Sequence, residues 1–420
     1  MGKHSNPLKS LRQSLMLSFG ICPRFDTPSP PRIRAICAQT LFLATSMRIG
    51  IDARMYGPGF TGIGRYTYEL IRHLALLDTV NDYVFFLRKE AFDSFAVPNP
   101  RFSKVLADFP HYSLSEQTRF LRVLNQEHLD LMHFCHFNAP IFYRRPCVVT
   151  IHDLTLSFFP GKKMTSWIQR LAYHFTLKTI TRKAKRIIAV SQNTKADLIQ
   201  LLSIPESKIQ VAYPGVSPTF AEPTSITKKD LESRFGLGKP FFLYTGVWRD
   251  HKNVVGLLHA FHGLCKEGGE KYQLAITGRP NPSYPEIEET VKTLNLEQDV
   301  RLTGLVSEEE LKALYQHALA YAFPSFYEGF GFPPLEAMLC GIPVAASNTS
   351  SIPEVCGEGN ALFFNPYNIP EIQQALGRIA SDQDLRNNLI ENGRKHASQF
   401  KWETMVKAVL DVYTSATQDF

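Results

Sequence analysis

The 420-residue sequence contains no apolar run of roughly 18 residues, which argues against a membrane-spanning helix. Cysteine is scarce and scattered. Seven residues, an odd number with no C-x-x-C, suit reduced thiols of the cytosol better than a secreted disulfide framework. No short-period repeat is visible, which disfavours a solenoid. Charge is modest at 20%, beside 12% aromatic and 44% hydrophobic residues. That globular balance excludes wholesale disorder, collagen and coiled coil. A chain this long is expected to form two domains or three, and to bury enough apolar surface to need no disulfide or metal staple.

The formal net charge of +7 first suggests a polyanion, either nucleic acid or anionic lipid. Its distribution removes most of the nucleic-acid reading. Residues 1–46 hold six basic residues (Lys3, Lys9, Arg12, Arg24, Arg32, Arg34) and one acid, Asp26, so this segment alone carries +5. Residues 47–420 then have 40 basic against 38 acidic residues. The N-terminal segment is Ser- and Pro-containing, acid-poor and weakly periodic. It reads as a targeting segment, a disordered tail or a translation start placed upstream of Met47. In each case it is an appendage outside the fold.

From Met47 the pattern alternates. Met47–Asp52 reads as a buried strand, followed by a glycine-rich turn from Gly57 to Gly64 and a helix over Arg65–Leu77. Tyr83–Leu87, Leu131–Phe134, Cys147–Ile151, Arg186–Ser191 and Gln210–Ala212 read as further strands, with helices such as Ser113–Asn125 and Thr194–Leu202 between them. Around Tyr213–Lys229 the alternation pauses in a Pro/Gly/Thr-rich stretch that suits a linker. It restarts with strands at Phe241–Thr245, Gln273–Thr277, Arg301–Thr303, Ala320–Phe323, Val344–Ala346 and Ala361–Phe364, and ends in a helix near Trp402–Ala416. Ser307 and Glu310 are spaced as a capping box. Strands alternating with helices mean parallel sheets covered on both faces. Ligands of such sheets sit beyond the carboxyl ends of the strands, here in a cleft between two halves.

One constellation stands out, Phe323-Pro324-Ser325-Phe326-Tyr327-Glu328-Gly329-Phe330-Gly331-Phe332-Pro333-Pro334-Leu335-Glu336. It follows a strand, turns through two glycines and opens a helix at Pro333-Pro334, where the missing proline N–H is not needed. Gly329 and Gly331 free backbone amides for an anion, and the helix N-terminus adds its dipole. Glu328 stays in the loop and Glu336 falls in the first helical turn, so two carboxylates flank the amides and can grip the hydroxyls at both ends of a nucleotide sugar. The plain alternative is a solvated Glu328 and a Glu336 that complements the helix dipole. The surrounding strand, glycines and prolines favour the functional reading.

Pro324–Pro343 resembles the E-x7-E signature of retaining GT-B glycosyltransferases, in particular the large family 4. The resemblance extends over residues 47–420. Gly62-Ile63-Gly64-Arg65-Tyr66 is similar to that family's first glycine loop, Thr150-Ile151-His152-Asp153 to its His-Asp loop, and Tyr244-Thr245-Gly246 with Lys252-Asn253 to its basic diphosphate site. Ser347-Asn348 and Pro353-Glu354 match the usual continuation of the signature.

The resemblance implies an α/β fold of GT-B type, with two Rossmann-like domains facing a cleft and a C-terminal helix crossing back. The expected boundaries are an extension over 1–46, an acceptor domain over 47–216, a linker over 217–228, a nucleotide-sugar domain over 229–398 and a final helix over 399–420. Among the catalytic residues it implies, Glu328 contacts the transferred hexose, His152 bonds the sugar or lines the reacting face, and Lys252 neutralises the diphosphate leaving group. The second cation is either His251 or Arg249, and Arg249 is preferred because it stays charged at any pH. Donor contacts are implied for Gly62, Gly64, Gly246, Lys252, Gly329, Phe330, Gly331 and Leu335, and for Glu336 at the ribose. The implied reaction moves a hexose from a nucleoside diphosphate sugar to an acceptor hydroxyl with retention, without metal or further cofactor. Front-face attack is expected, and no general base is named. The motif wording looks like bacterial mannosyltransferases of surface polysaccharide (lipopolysaccharide-type) assembly, so GDP-mannose is the first donor and UDP-glucose or UDP-N-acetylglucosamine the next. The expected acceptor is a glycan or a lipid-linked sugar, and the expected compartment is the cytoplasm, with contact to the inner face of the membrane through 168–190 left open.

Other candidates weigh less. Asp382-Gln383-Asp384 has the spacing of a metal-binding pair but starts a polar helix, where Asp is an ordinary cap. His133, Cys135 and His136 lack a second ligand pair for zinc and are expected to end a strand. Asn348-Thr349-Ser350 matches a glycosylation sequon inside the family motif and reads as structural. Arg170–Arg186 is a basic stretch among Leu, Ile, Phe and Tyr. It reads about equally as a helix lying on anionic lipid and as a surface helix packed on the sheet. A GT-B nucleotide-sugar 2-epimerase and a non-catalytic scaffold are the alternatives from other classes. The first needs additional catalytic acids and bases. The second would more readily have lost one of Glu328, Glu336 and Lys252.

Overall fold

The computed structural model describes residues 46–57, 60–163, 166–268 and 272–418, so the extension expected over residues 1–46 lies outside the described residues but for Ser46. Seven strands form the first sheet: β1 (Arg48–Asp52), β2 (Asp82–Leu87), β3 (Phe102–Leu106), β4 (Leu131–Phe134), β5 (Cys147–Ile151), β6 (Arg186–Ala189) and β7 (Ile209–Val211), in the order β3-β2-β1-β4-β5-β6-β7. Six form the second: β8 (Phe241–Thr245), β9 (Gln273–Thr277), β10 (Val300–Gly304), β11 (Ala320–Phe323), β12 (Val344–Ser347) and β13 (Leu362–Phe364), in the order β10-β9-β8-β11-β12-β13.

Every pairing is parallel, for example Ile49 beside both Tyr83 and Leu131, and Leu243 beside both Ala275 and Tyr321. Each sheet reverses its strand order once, beside β1 and beside β8, which opens a ligand crevice at its carboxyl edge. The strands read as unbroken apolar runs because both faces are buried. Val84, Phe86 and Met132 enter one core layer of the first sheet, while Ile49, Ile51 and Phe85 enter the other.

The last helix, Trp402–Gln418, belongs to the second layer. Its Trp402, Met405, Val406, Val409, Val412, Tyr413 and Ala416 recur on one helical face and pack with Ile49, Tyr66, Leu70 and Leu74 of the first domain. At about 1.5–3 kcal/mol per buried large side chain, that face accounts for the return of the chain end. A polar chain runs beneath it. The Tyr413 hydroxyl bonds His133 Nδ1 at 2.7 Å, and His133 Nε2 bonds Thr150 Oγ1 at 2.8 Å. Thr150 Oγ1 also meets the Tyr66 hydroxyl at 3.1 Å. His133 therefore serves structure rather than metal, and among the described residues no three His, Cys, Asp or Glu gather as a metal site.

Burial holds His133 neutral, with its pKa pushed down to about 3. The unfolded chain protonates this ring below its ordinary pKa of about 6.5, whereas the folded chain does so only near 3. Stability from the neutral ring is thus complete above pH 6.5 and lost as pH falls toward 3. Urea melts between pH 6.5 and 5 should show a slope smaller in His133→Asn than in the parent, by about 0.7 kcal/mol per pH unit at the upper end and nearly 1.4 at the lower. Equal slopes would show that His133 is not held neutral by the fold.

Several element limits differ from the sequence expectation. The first helix spans Thr61–Leu77, four residues earlier than expected, so Gly62 and Gly64 lie inside it rather than in a loop. The turn is made by Gly57, at φ 113°, and a Cβ on Gly64 would sit 2.0 Å from the Gly57 carbonyl oxygen. The close return of the chain therefore requires that glycine. The edge strand β3 was not anticipated, because Phe102-Ser103-Lys104-Val105-Leu106 has no continuous apolar run and is fully buried only at Phe102. The helix expected over Ser113–Asn125 begins at Leu114 and carries a wide π turn over Glu116–Phe120 before continuing as α-helix over Leu121–Gln126. Ser307 and Glu310 do form a reciprocal capping box, and Asp382 caps its helix by accepting from the Leu385 N–H at 2.9 Å.

Candidate active site

The carboxyl ends of the two sheets share one cavity of about 2230 Å³. A pocket for one small ligand is typically about 300–1,000 Å³, so this one has room for a donor and an acceptor together. Its walls come from loops after strands of both domains. His136, His152 and Val190 follow β4, β5 and β6, while Gly246, Gly278, Val306 and Glu328 follow β8, β9, β10 and β11.

The loop after β11 is held in place by its carbonyls. Ser351 Oγ donates to the carbonyl oxygens of Glu328 and Phe330 at 2.9 and 3.0 Å. A trans peptide points its next N–H opposite to its C=O, so the amides of Gly329 and Gly331 point away from buried Ser351. The helix Phe332–Cys340 then begins, with Gly331 as its cap at φ 101°. Its prolines at 333 and 334 remove two of the donors that a helix start otherwise exposes, which leaves the Gly331 and Phe332 amides for an anion.

Glu336 is displaced from its expected position. It lies in the second turn of that helix rather than the first, and it is buried. Its Oε2 accepts from the Tyr315 hydroxyl at 3.1 Å, and its Oε1 pairs with the Arg65 guanidinium. A role confined to the helix dipole does not suit a buried carboxylate with two specific partners. Burial and the Glu336 charge raise the Tyr315 pKa well above the ordinary value, which keeps its hydroxyl a donor. Each carboxylate oxygen retains a second lone pair, so Glu336 can still accept from two sugar hydroxyls.

Lys252 and Glu328 meet as an ion pair, Nζ to Oε1 at 2.6 Å, on the cavity wall. Lys252 ends a short turn, Asp250–Lys252, after β8, and Asn253 at φ 52° turns the chain into the helix Val254–Gly268. Asn253 is fixed there by donating from Nδ2 to the Pro366 carbonyl at 2.9 Å. His251 is buried in the same turn. Desolvation, with Lys252 and Arg249 beside it, pushes its pKa down to about 3. A ring neutral at pH 7 cannot be the second cation. Arg249 lines the cavity and keeps its charge, and Arg279 lines it after β9.

His152 reaches the cavity from β5. Its Nε2 lies 2.8 Å from the Cys135 carbonyl oxygen, which can only accept, so Nε2 carries the proton. Burial lowers its pKa, and the neutral ring thus presents Nδ1 as an acceptor. Tyr66 packs edge-on against it at 4.9 Å.

The two domains meet around these residues. Ser191 Oγ donates to the Gly329 carbonyl at 2.6 Å, and a Cβ on Gly329 would lie 1.8 Å from the His152 carbonyl oxygen. The amides of Gln192 and Asn193, at the N-terminus of the helix Gln192–Leu202, donate to the Glu354 carboxylate at 2.6 and 3.1 Å. The Tyr213 hydroxyl adds a third bond at 2.6 Å. Glu354 thus joins the domains at a helix N-terminus, where negative charge is favoured.

Gly62, Gly64, Gly246, Phe330, Arg249 and His152 all line the cavity with Lys252, Glu328 and Glu336. Leu335 does not. Its side chain is fully buried in the core against Phe323 and Met338, because the helix turns it toward the sheet, so it offers no side-chain contact to a donor. Arg65, Tyr315, Arg279 and Glu354 received no role in the sequence analysis. Arg65 and Glu354 each stand inside a motif quoted there, which was the available signal. Tyr315 and Arg279 left none.

Comparison with known proteins agrees with this architecture. Residues 60–220 match the family described as Glycosyltransferase Family 4, and residues 225–396 match Glycosyl transferases group 1. The chain is 27% identical over 379 residues to O-antigen chain mannosyltransferase B of Escherichia coli, covering 84% of this chain and 96% of that protein. It is 29% identical over 274 residues to an O-antigen chain mannosyltransferase of Salmonella typhimurium, covering 65% and 70%. Among solved structures, sucrose-phosphate synthase from Thermosynechococcus elongatus superposes with a TM-score of 0.72 at 21% identity, covering 89% of this chain and 100% of that one. Anabaena HepE in complex with UDP and glucose superposes with a TM-score of 0.69 at 20% identity, covering 88% and 100%. Two matched families in tandem, over two parallel sheets that share a cleft, make this chain a glycosyltransferase of the GT-B fold.

Proposed function

We propose that this enzyme transfers a hexose from a nucleoside diphosphate sugar to a glycan or lipid-linked acceptor hydroxyl with retention of anomeric configuration, and that the donor is GDP-mannose. The observation that carries the reading is the Lys252–Glu328 pair at 2.6 Å beside the Gly329–Gly331 amides, with Glu336 further along the helix they open. Glu336 accepts from the ribose hydroxyls, Glu328 from the hexose, and the amides with Lys252 and Arg249 take the diphosphate. The acceptor oxygen bonds to the anomeric carbon on the face from which the phosphate oxygen leaves. The leaving phosphate oxygen takes the acceptor's proton, so no separate base is required. Lys252 stabilises the charge that grows on that oxygen as the glycosidic bond breaks. His152, with Nδ1 as acceptor, orients a hexose hydroxyl. Mannose is favoured because curated relatives that align along most of this chain are mannosyltransferases. No metal or resident cofactor enters this scheme, and the working compartment is the cytoplasm.

A ligand that binds only the folded enzyme raises its melting temperature, by about 2.7 kcal/mol of stability at roughly 100 times its Kd. GDP and GDP-mannose should shift the melting curve by several degrees and UDP by much less. Mass spectrometry should show GDP-mannose consumed when an acceptor is supplied. A larger shift with UDP would overturn the mannose assignment, and GDP-mannose turned into an epimerised nucleotide sugar without acceptor would overturn the transfer reading.

A further inference from the structure

The helix Trp167–Lys183 has three faces. Tyr173, Leu177 and Ile180 pack into the core beneath the sheet. Gln169, Ala172 and Thr176 line the cavity, and Tyr173 and Phe175 do so from the borders of the two neighbouring faces. The remaining face is turned to solvent, and its residues follow one another at spacings of four, four, three and four: Trp167, Leu171, Phe175, Lys178 and Arg182. Trp167 is 72% exposed, Leu171 61% and Phe175 58%, with exposed Ile168 beside them. An apolar ridge of this kind, running into two cations, exposes surface that a water-facing helix ordinarily avoids.

The sequence around it is one-sided in charge, although two of its lysines, Lys162 and Lys195, pair with Glu286 and Glu206 from other segments. Residues 154–196 hold nine basic residues and no acid, against 31 basic and 38 acidic in the rest of 47–420. A partner for this face must accept an aromatic and aliphatic ridge and bring negative charge to the flanking lysines and arginines. An anionic lipid surface meets both demands, since Trp settles at the headgroup level and nearby Lys and Arg attract acidic headgroups. The helix also packs into the core of the first domain, as the second reading of this stretch expected.

We propose that this face seats the enzyme on an anionic bilayer, with Trp167, Leu171 and Phe175 entering the interface and Lys178 and Arg182 on the headgroups. Because another face of the same helix lines the cavity, a bilayer here lies beside the cavity mouth and offers it the hydroxyl of a lipid-anchored acceptor. That last step rests on the cleft being the sugar-transfer site, whereas the membrane contact does not.

Tryptophan fluorescence of the full chain tests the contact directly. Trp248 and Trp402 are 2% and 3% exposed, so Trp167 is the tryptophan that a bilayer can reach among the three. Vesicles of equal parts phosphatidylglycerol and phosphatidylcholine should shift the emission to the blue and co-sediment the protein, and pure phosphatidylcholine should do so weakly. Trp167→Phe should sediment with little change but lose the shift. Lys178→Glu with Arg182→Glu should weaken sedimentation by at least about tenfold, at roughly a kilocalorie of attraction per basic residue. Nucleotide-induced melting shifts should be unchanged in both variants. Absence of sedimentation, sedimentation without an emission shift, emission already blue before vesicles are added, or charge-reversed protein that binds like the parent would each overturn the contact. Loss of the nucleotide shift in the parent protein would instead count against the cleft and leave the membrane contact standing.

Discussion

Lys252→Ala should lower kcat by about 10²–10³-fold, with a smaller rise in donor KM, because its charge is needed most when the diphosphate departs. The side chain is well placed for that task. It ends a turn pinned by Asn253 and lies on the cavity wall within 2.6 Å of Glu328. Removing it also leaves the Glu328 carboxylate, only 12% exposed at its side chain, without its cation. An unpaired anion there would repel the diphosphate, so two effects act in the same direction. Glu328→Gln keeps shape and hydrogen bonding while dropping the charge, and should cost less than Lys252→Ala. The double variant should fall short of the product of the two, since the groups touch. Lys252→Arg keeps the charge and should recover part of the rate. Steady-state turnover with saturating acceptor measures all four. A Lys252→Ala enzyme within threefold of the parent would remove Lys252 from the reaction.

Much of this site was legible in the sequence, and the physical reason is local. The strand, the glycine loop and the proline-opened helix around Glu328 and Glu336 lie within one short stretch, so their spacing already encodes their geometry. The parallel sheets were legible for a similar reason, because strands buried on both faces read as unbroken apolar runs. The strand β3 was not, since an edge strand needs to bury only one end of its sequence.

Relations across the cleft were also hidden. Arg65 and Glu336 are 271 positions apart and Ser191 and Gly329 are 138 apart, and no periodicity along the chain reports such pairs. The orientation of the Leu335 side chain was hidden for a related reason. A motif says which residues recur near a ligand, but the helical turn decides which way each points, and here it sends Leu335 inward and Glu336 toward Arg65. The preference for Arg249 over His251 came from side-chain chemistry alone, and the burial that holds the His251 imidazole neutral beside two cations adds a ground that the sequence did not offer.

Those cross-cleft relations make Gly329→Ala the most informative change outside the charged pair. The new Cβ would lie 1.8 Å from the His152 carbonyl oxygen and 2.7 Å from the Asp153 Cβ, both on the opposite domain. Backbone cannot yield as a side chain can, so relief requires the domains to separate by more than an ångström. Displacements of about 1 Å can cost roughly 10²-fold in rate when reacting groups are held on two different bodies. Gly329→Ala should therefore lose at least that much kcat. It should also weaken the Ser191 bond to the Gly329 carbonyl, now 2.6 Å, while the Glu354 seat at the helix Gln192–Leu202 limits the opening to the neighbourhood of the cleft. The strain falls between domains rather than within one, so the melting temperature should drop little. Gly331→Ala supplies the contrast. Gly331 sits at φ 101° with its nearest side-chain neighbour, Phe323, in its own domain. Its backbone strain of about 1–3 kcal/mol should appear in the melting temperature whether or not the cleft is closed. Distances between spin labels placed on either side of the cleft should lengthen in Gly329→Ala when nucleotide is bound, and not in Gly331→Ala. Parent-like turnover in Gly329→Ala would mean that catalysis proceeds with the domains further apart than they stand here.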